Sequence, residues 1–277
     1  MSERDDDRIA PTAHYTAYVW KHIGMPSADL VATQRGALMF WGFRLAGEGL
    51  ASLLPGVPTM AQYLALRHRL IEGALEDARP DLVIELGAGL SRRGTTWAAD
   101  RKVRYVEVDL PDQSRVKEKL LAERGGPALR ERLGGRLVIE GADVLASDFG
   151  DKLARWLSGA ERPVVVAEGL LGYFAMEDRR RLARTLARAL AGRRGAFVFE
   201  ARVDSGDRAL GAAVGLLKGG IRLVTRGRGT REDFASVEQA RSLFEEEGFA
   251  SIEELPPARV PELAHVRTPA HLWIARS

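Results

Sequence analysis

The amino-acid sequence predicts an α/β protein built on a doubly wound, mostly parallel β-sheet. Between residues 82 and 200, five strand-like apolar runs are separated by four helix-like segments, an alternation typical of right-handed βαβ units. Runs such as VVVA at residues 164–167 hold no polar residue, which indicates strands covered on both faces. The 277 residues are 45% apolar, enough for one sizeable core.

The chain before this alternation is predicted to be helical. Residues 1–12 are polar and are predicted to be disordered. PTAHYTAYVWKHIG then opens with a Pro–Thr helix start and ends at Gly24, and SADLVATQRGALMFWGFRLAGEGL carries apolar residues at helical spacing among several glycines. A third helix, MAQYLALRHRLIEGALEDA, ends before Pro80.

The same patterns give the bounds of the alternating region. The predicted strands are Leu82–Glu85, Val103–Val108, Arg136–Glu140, Pro163–Ala167 and Ala196–Glu200, and the predicted helices are 92–99, 112–124, 150–158 and 177–191. The glycine-rich segment 202–231 interrupts the alternation of strands and helices, and its sequence pattern predicts neither a simple strand nor a simple helix. A helix in SVEQARSLFEEEGF and strands in SIEEL and HLWIAR close the chain.

Composition excludes several kinds of site and partner. The chain has no cysteine, which excludes disulfides, thiolate metal ligands and a cysteine nucleophile. Its five histidines include no i, i+4 pair, so no metal site is expected. The net charge of +3 is spread along the chain without a basic block, which does not favour nucleic acid. A polar N-terminus and the lack of an apolar stretch of about 18 residues predict a cytoplasmic protein without a membrane span.

The loop in DLVIELGAGLSRRG, residues 81–94, indicates a cofactor. Gly87 and Gly89 match the first two glycines of the dinucleotide fingerprint, but Arg92 stands where the third is required. Glu85, at the end of the preceding strand, would repel a pyrophosphate and favour an ammonium or a sulfonium. The charge pattern therefore favours S-adenosylmethionine (SAM) over a dinucleotide.

Acids end the first four predicted strands, at Glu85, Asp109, Asp143 and Glu168. A parallel sheet brings these ends together at one edge, where ligands bind. Asp109 is placed to accept hydrogen bonds from ribose hydroxyls, Asp143 and the Val144 amide to contact adenine, and Glu168 to meet the amino-acid end of SAM. Helix capping is the alternative explanation for Asp143 and Glu168.

Four segments in this order resemble the leucine carboxyl methyltransferase family of class I SAM-dependent methyltransferases, which includes bacterial polyketide O-methyltransferases. They are IELGAGLSRRG, VRYVEVDLPDQSRVKEKLL, GADVL and VVVAEGLLGYF. The resemblance runs from about residue 60 to 195. Ser91–Arg92 departs from the Asp–Thr that many members have after the glycine loop.

The resemblance implies a seven-stranded sheet with an antiparallel last strand and an N-terminal helical lid. On this basis residues 1–75 are assigned to the lid and 76–277 to the SAM-binding core, with a substrate-pocket insertion around 202–235. It also implies that Arg67 binds the SAM carboxylate, with Arg69 as the alternative, and that the other cofactor residues are Glu85, Gly87, Gly89, Asp109, Asp143, Val144 and Glu168.

The residues that contact the acceptor are less constrained by the sequence. A carboxylate acceptor needs no general base, whereas a hydroxyl needs one. The catalytic candidates are Tyr173, after Glu168, and the pair His14 and Tyr18, which share a helix face, although lid packing is the favoured explanation for that pair. Tyr15 and Arg202 are the substrate candidates.

These observations predict a SAM-dependent O-methyltransferase acting on a carboxylate or hydroxyl of a small bacterial metabolite, such as a polyketide. The alternatives are a protein C-terminal carboxyl methyltransferase and a non-catalytic SAM-binding protein. Nucleic acid and membrane partners are not expected, and the segment LGAAVGLLKGG is compatible with a homodimer contact, a pocket-closing helix or plain packing.

Overall fold

The computed structural model describes residues 11–45, 58–203, 233–268 and 270–277. Its centre is a seven-stranded sheet. The strands are β1 Leu82–Leu86, β2 Arg104–Asp109, β3 Leu137–Gly141, β4 Pro163–Ala167, β5 Ala196–Arg202, β6 Ser251–Leu255 and β7 Ala270–Arg276. Their order across the sheet is β3-β2-β1-β4-β5-β7-β6.

The predicted fold class is confirmed by this topology. Strands β3, β2, β1, β4 and β5 pair in parallel, and β7 lies antiparallel between β5 and β6. The chain leaves β1 toward β2 and β3 and returns to β4 on the other side of β1. The strand order thus reverses between β1 and β4, and this reversal opens a crevice at their carboxyl ends.

The helices cover both faces of the sheet and its carboxyl edge. They are α1 Pro11–His22, α2 Ala28–Val31, α3 Gln34–Phe43, α4 Met60–Ala78, α5 Arg93–Thr96, α6 Pro111–Leu133, α7 Phe149–Trp156, α8 Met176–Leu190 and α9 Val237–Glu246. A π-turn at Trp97–Arg101 and short 3₁₀ turns at Leu171–Tyr173, Pro257–Arg259 and Pro261–Leu263 complete the described elements.

Three predicted helices differ from the observed ones. The helix predicted over 92–99 is the short helix α5 followed by the π-turn at Trp97–Arg101. The segment after Gly24 forms two helices because Thr33 adopts an extended conformation and its side chain caps α3 by accepting a hydrogen bond from the Gly36 amide. The helix predicted over 112–124 continues to Leu133 with a kink, since Gly126 has a left-handed backbone just before Pro127.

The core lies on both faces of the sheet. Every residue of β1 and β4 is buried, as the unbroken apolar runs predict. One face packs against α7, α8 and α9 through side chains such as Leu153, Leu186 and Phe244, and the other packs against α4 through Leu66 and Ile71. Burial of each such side chain stabilises the fold by about 1.5–3 kcal/mol relative to exposure. This packing holds the carboxyl ends of the strands in place.

The N-terminal helices pack together over the carboxyl edge of the sheet. The backbones of α1 and α3 meet where a Cβ on Gly36 would collide with the His14 carbonyl oxygen. Trp20 of α1 packs against His68 of α4, with ring centroids 4.4 Å apart and the ring planes tilted by 37°. None of the helices in the described ranges combines the length and apolar character that a membrane crossing requires.

Candidate functional site

A cavity of about 610 Å³ opens at the carboxyl ends of β1, β2, β4 and β5, beneath α1, α3 and α4. Its size is within the range of small-molecule sites. The wall contains all eight residues predicted to bind the cofactor, namely Arg67, Glu85, Gly87, Gly89, Asp109, Asp143, Val144 and Glu168. It also contains three of the five acceptor-side candidates, Tyr15, Tyr173 and Arg202.

The glycine loop after β1 forms the floor of the cavity. Gly87 has φ +65°, and a Cβ there would lie 2.8 Å from Cδ1 of Leu170. Gly89 has φ +49°, and its Cβ would lie 3.2 Å from that of Ala13 in α1. A side chain at Gly87 would thus be strained and would clash, and the two glycines leave bare backbone facing the cavity.

Asp109 is held rigidly beside this loop. Its Oδ2 accepts a hydrogen bond from the Gly89 amide and its Oδ1 accepts one from the Leu110 amide, each at 2.7 Å. Burial raises the pKa of Asp109 above its ordinary value, against the opposing effect of these two amides. The carboxylate keeps lone pairs free for further donors, since each oxygen can accept two hydrogen bonds.

Asp143 lies at the more open end of the cavity, and its side chain is exposed. Its Oδ1 accepts a hydrogen bond of 2.9 Å from the Leu145 amide. This contact stabilises a local turn and is not the helix capping that the sequence left open as an alternative, because the next helix, α7, begins only at Phe149. Asp143 and Val144 both line the cavity.

The structure gives Glu85 an internal cation. Its Oε1 accepts a 2.5 Å hydrogen bond from Arg93, and its Oε2 accepts a 2.6 Å bond from the Tyr105 hydroxyl. Only 2% of Glu85 is exposed. The positive charge beside Glu85 is therefore a guanidinium of the chain itself, and a contact of Glu85 with the cofactor stays a prediction.

Glu168 is the most heavily paired acid of the site. Its Oε2 contacts Nη2 of Arg93 and lies 3.4 Å from Nδ1 of His68, while its Oε1 accepts a 2.8 Å hydrogen bond from Nε of Arg67. Burial alone would raise the pKa of Glu168, but Arg93 and Arg67 outweigh it and hold that pKa well below its usual range. Glu168 is therefore ionised throughout the neutral range.

Glu200 is a site residue that the sequence analysis missed. It ends the FVFE run of β5, is 6% exposed and lines the cavity. It accepts a 3.0 Å hydrogen bond from Nη1 of Arg67 and a 2.6 Å bond from the Tyr63 hydroxyl. The signal was present, because the strand-end acid pattern that marks β1 to β4 extends one strand further.

The end of the cavity under the N-terminal helices is apolar. Tyr15, Met39, Phe43, Met60 and Leu64 contribute to it. At the margins of this apolar end, Nε of Arg202 lies 3.3 Å from Oδ1 of Asp233. The hydroxyl of Tyr173 lies 3.4 Å from the hydroxyl of Thr12. A ligand space with acids at one end and aromatic and aliphatic side chains at the other suits two different molecules.

Two candidate residues of α1 do not reach the cavity. His14 is fully buried, and its Nδ1 lies 2.7 Å from the Thr33 hydroxyl at the start of α3. Tyr18 packs against Phe40 with ring centroids 5.4 Å apart. The prediction that this helix face looks into the crevice is wrong, because α1 turns the neighbouring face, with Thr12, Tyr15 and Thr16, toward the cavity.

Other predictions concern metals and the inserted segment. Within the described ranges, no group of three or more histidine or acidic side chains is arranged to hold a metal ion. Of the pocket insertion predicted around 202–235, residues 204–232 lie outside the described residues, and the LGAAVGLLKGG segment lies among them.

Comparison with known families gives one match over the central part of the chain. The model of the leucine carboxyl methyltransferase family matches residues 37–187. A curated relative, the tetracenomycin polyketide synthesis O-methyltransferase TcmP of Streptomyces glaucescens, is 32% identical over 124 residues, which are 44% of this chain and 40% of TcmP. The match thus spans less than half of that relative.

Solved structures share the fold at low identity. The apo form of the S-adenosylmethionine-dependent methyltransferase SibL superposes with a TM-score of 0.53 at 18% identity, over 83% of this chain and 61% of SibL. Human N-acetylserotonin methyltransferase in complex with SAM gives 0.52 at 11% identity, over 97% and 66% of the two chains. At these identities the likeness establishes the class I methyltransferase architecture.

Proposed function

Since this chain belongs to the leucine carboxyl methyltransferase family, we propose that it transfers the methyl group of SAM to an oxygen atom of a small metabolite. The family is SAM-dependent, and SAM is the cofactor. The proposal concerns the reaction, the acceptor class and the roles of individual residues. The name of TcmP, a polyketide synthesis O-methyltransferase, supports a polyketide-like acceptor.

The cavity residues fit SAM. Gly87 and Gly89 line the cavity without side chains, so a ligand can approach the backbone of the loop closely. Asp109 is fixed in orientation by two amides, as a carboxylate that binds vicinal hydroxyls requires. Glu168 is ionised and its side chain is 9% exposed, so it offers a negative charge to an ammonium group.

We assign the binding roles accordingly. Gly87 and Gly89 pass along the amino-acid portion of SAM, Asp109 accepts from the ribose hydroxyls, and Asp143 with the Val144 amide contacts the adenine. Glu168 accepts from the ammonium group, and Arg67 donates to the carboxylate. Arg67 can do so while bound to Glu168 and Glu200, because a guanidinium has five donors and these two contacts use two of them.

When bound, SAM supplies a methyl group on a positively charged sulfur. The chain aligns the acceptor oxygen with that methyl group and excludes water, and alignment of this kind can lower a barrier by about 7–11 kcal/mol. A carboxylate acceptor arrives ionised. For a hydroxyl acceptor, Tyr173 is the remaining candidate among the three proposed catalytic residues, since it lines the cavity and His14 and Tyr18 do not.

The observation that carries the proposal is the covered apolar end of the cavity. Side chains of α1 and α3, among them Tyr15, Met39 and Phe43, line it together with Met60 and Leu64 of α4. We therefore propose that these N-terminal helices act as the lid. Apolar and aromatic walls favour a small, largely apolar acceptor, with Tyr15 and Arg202 as contacts, whereas a protein C-terminus requires an open groove.

The test is transfer of a labelled methyl group from SAM to three kinds of probe: phenolic bicyclic aromatics, their carboxylic acid counterparts, and a peptide ending in leucine. We expect label on the aromatic probes. Alkali then separates methyl esters, which release labelled methanol, from methyl ethers, which do not. Label on the peptide alone would overturn the proposal, and intact binding of S-adenosylhomocysteine with no transfer to any probe would favour a non-catalytic SAM-binding protein.

A further inference from the structure

Arg93 occupies a central place in the site without lining the cavity. It is the first residue of α5, directly after the glycine loop, and none of it is exposed. Nη1 donates to Glu85 at the end of β1, and Nη2 contacts Glu168 just beyond β4. Nη2 also lies 2.7 Å from Nδ1 of His68 in α4. One guanidinium thus joins both sides of the crevice.

These contacts offset the repulsion between the carboxylates of Glu85 and Glu168. β1 and β4 are neighbours in the sheet, so two buried carboxylates at their ends repel one another unless a cation lies between them. Arg93 is that cation, and its planar fork binds one acid with each terminal nitrogen. A lysine offers a single point charge and cannot match both directions at once.

The neighbouring arginine has a different position. Arg92 is also buried, at 2% exposure, but its Nη2 pairs with Glu72 at 2.5 Å and its Nη1 lies near Thr96 and the carbonyl of Pro26. It contacts none of the acids that line the cavity. Arg93 therefore binds the acids at the crevice, whereas the adjacent Arg92 binds Glu72 of α4. Because both arginines are buried, a substitution of Arg92 is a matched control for one of Arg93.

We propose that Arg93 is the positioning residue for the amino-acid end of SAM: it holds the carboxylate of Glu168 where the ammonium group is bound. This role rests on the proposed binding mode. It leaves the adenosine end to Asp109 and Asp143, which the Arg93 side chain does not touch. Arg93 itself contacts neither the ligand nor the acceptor.

The proposal predicts that substitution of Arg93 affects the binding of two ligands differently. S-adenosylhomocysteine carries the amino-acid end, whereas 5′-methylthioadenosine keeps the adenosine and lacks the amino acid. Titration calorimetry of both ligands on the full chain gives the readout. The variant Arg93→Met with Glu85→Gln removes one buried positive and one buried negative charge, so the charge of the cluster is preserved and Glu168 loses its partner.

We expect the double variant to bind S-adenosylhomocysteine at least tenfold more weakly and to bind 5′-methylthioadenosine within twofold of wild type. Arg93→Lys should lose less affinity for S-adenosylhomocysteine and should likewise leave the affinity for 5′-methylthioadenosine unchanged. This single variant provides the test if the double variant does not unfold cooperatively. Arg92→Met should lower stability without changing the ratio of the two affinities.

Equal weakening of both ligands in the Arg93 variants would show that Arg93 only supports the loop, and unchanged affinity for S-adenosylhomocysteine would show that Glu168 needs no such support. Either result overturns the inference. Failure of the proposed binding mode is distinguishable, because the wild-type protein would then bind neither ligand or would bind both equally well.

Discussion

Tyr63 and Glu200 are joined across the wall of the cavity by a hydrogen bond of 2.6 Å, in which the phenol of α4 donates to Oε1 at the end of β5. Burial, reinforced by the charge of Glu200, raises the pKa of Tyr63 above its ordinary value. The phenol therefore remains a neutral donor. Together with Arg67, it satisfies both oxygens of an acid that is almost wholly removed from water.

Tyr63→Phe is expected to lower the free energy of unfolding by about 1.5–3 kcal/mol, the usual range for a hydrogen bond to a charged group. Urea denaturation measures it. Tyr173→Phe is the control, since that hydroxyl makes only a 3.4 Å contact and the residue is 37% exposed, and it should cost less than about 0.5 kcal/mol. Equal effects of the two substitutions would show that the Glu200 contact contributes no stability.

Asp109→Ala is expected to weaken binding of S-adenosylhomocysteine at least tenfold. The carboxylate is oriented by the Gly89 and Leu110 amides, and each hydrogen bond to a charged acceptor is worth about 1.5–3 kcal/mol. Calorimetric titration measures the affinity, with NADH as the comparison ligand. Binding of NADH in place of S-adenosylhomocysteine by the wild-type chain would mean that the glycine loop holds a dinucleotide.

Gly87→Ala should weaken S-adenosylhomocysteine binding and also lower stability by about 1–2 kcal/mol, because φ is +65° and the new Cβ meets Leu170. Gly192→Ala is a matched control. Gly192 has φ +73°, and no heavy atom lies within 4 Å of the place that its new Cβ would take, so it should carry a similar backbone penalty and leave affinity unchanged. Parallel loss of affinity in both variants would show that global stability, and not the loop, is responsible.

The sheet and the position of the crevice were predictable because both depend on patterns that are local in sequence. Unbroken apolar runs at β1 and β4 indicate burial on both faces, and the acids after them follow from where each run ends. Glu200 obeys the same rule. It is the last residue of the predicted fifth strand, Ala196–Glu200.

The partners of these acids were not predictable in the same way. Arg93 and Glu168 are 75 positions apart, and nothing local in either segment selects the other. For His14 and Tyr18, helical spacing shows which side chains share a face of α1 but not which face meets the sheet. The orientation of α1 depends on its close packing against α3 at Gly36. This contact lies between backbones that are distant in sequence, so the helical spacing within α1 does not reveal it.

A buried ion pair behind the site gives the last prediction. Glu107 Oε2 and Lys117 Nζ lie 2.5 Å apart, and each side chain is 1% exposed. Burial raises the pKa of Glu107 from 4.5 to about 7, outweighing the attraction of Lys117. Between these two pH values the folded chain binds more protons than the unfolded chain. The stability associated with Glu107 is therefore fully present below pH 4.5 and is lost as the pH rises through 7.

Glu107→Gln should remove this dependence. Urea unfolding from pH 5 to pH 8 is expected to show a wild-type free energy that falls with pH by up to about 1.4 kcal/mol per pH unit more steeply than that of the variant. Glu253→Gln, which alters an exposed pair with Arg276, should follow the wild-type slope. If Glu107→Gln also follows that slope, Lys117 keeps Glu107 ionised in the folded chain and the direction assigned to its pKa is wrong.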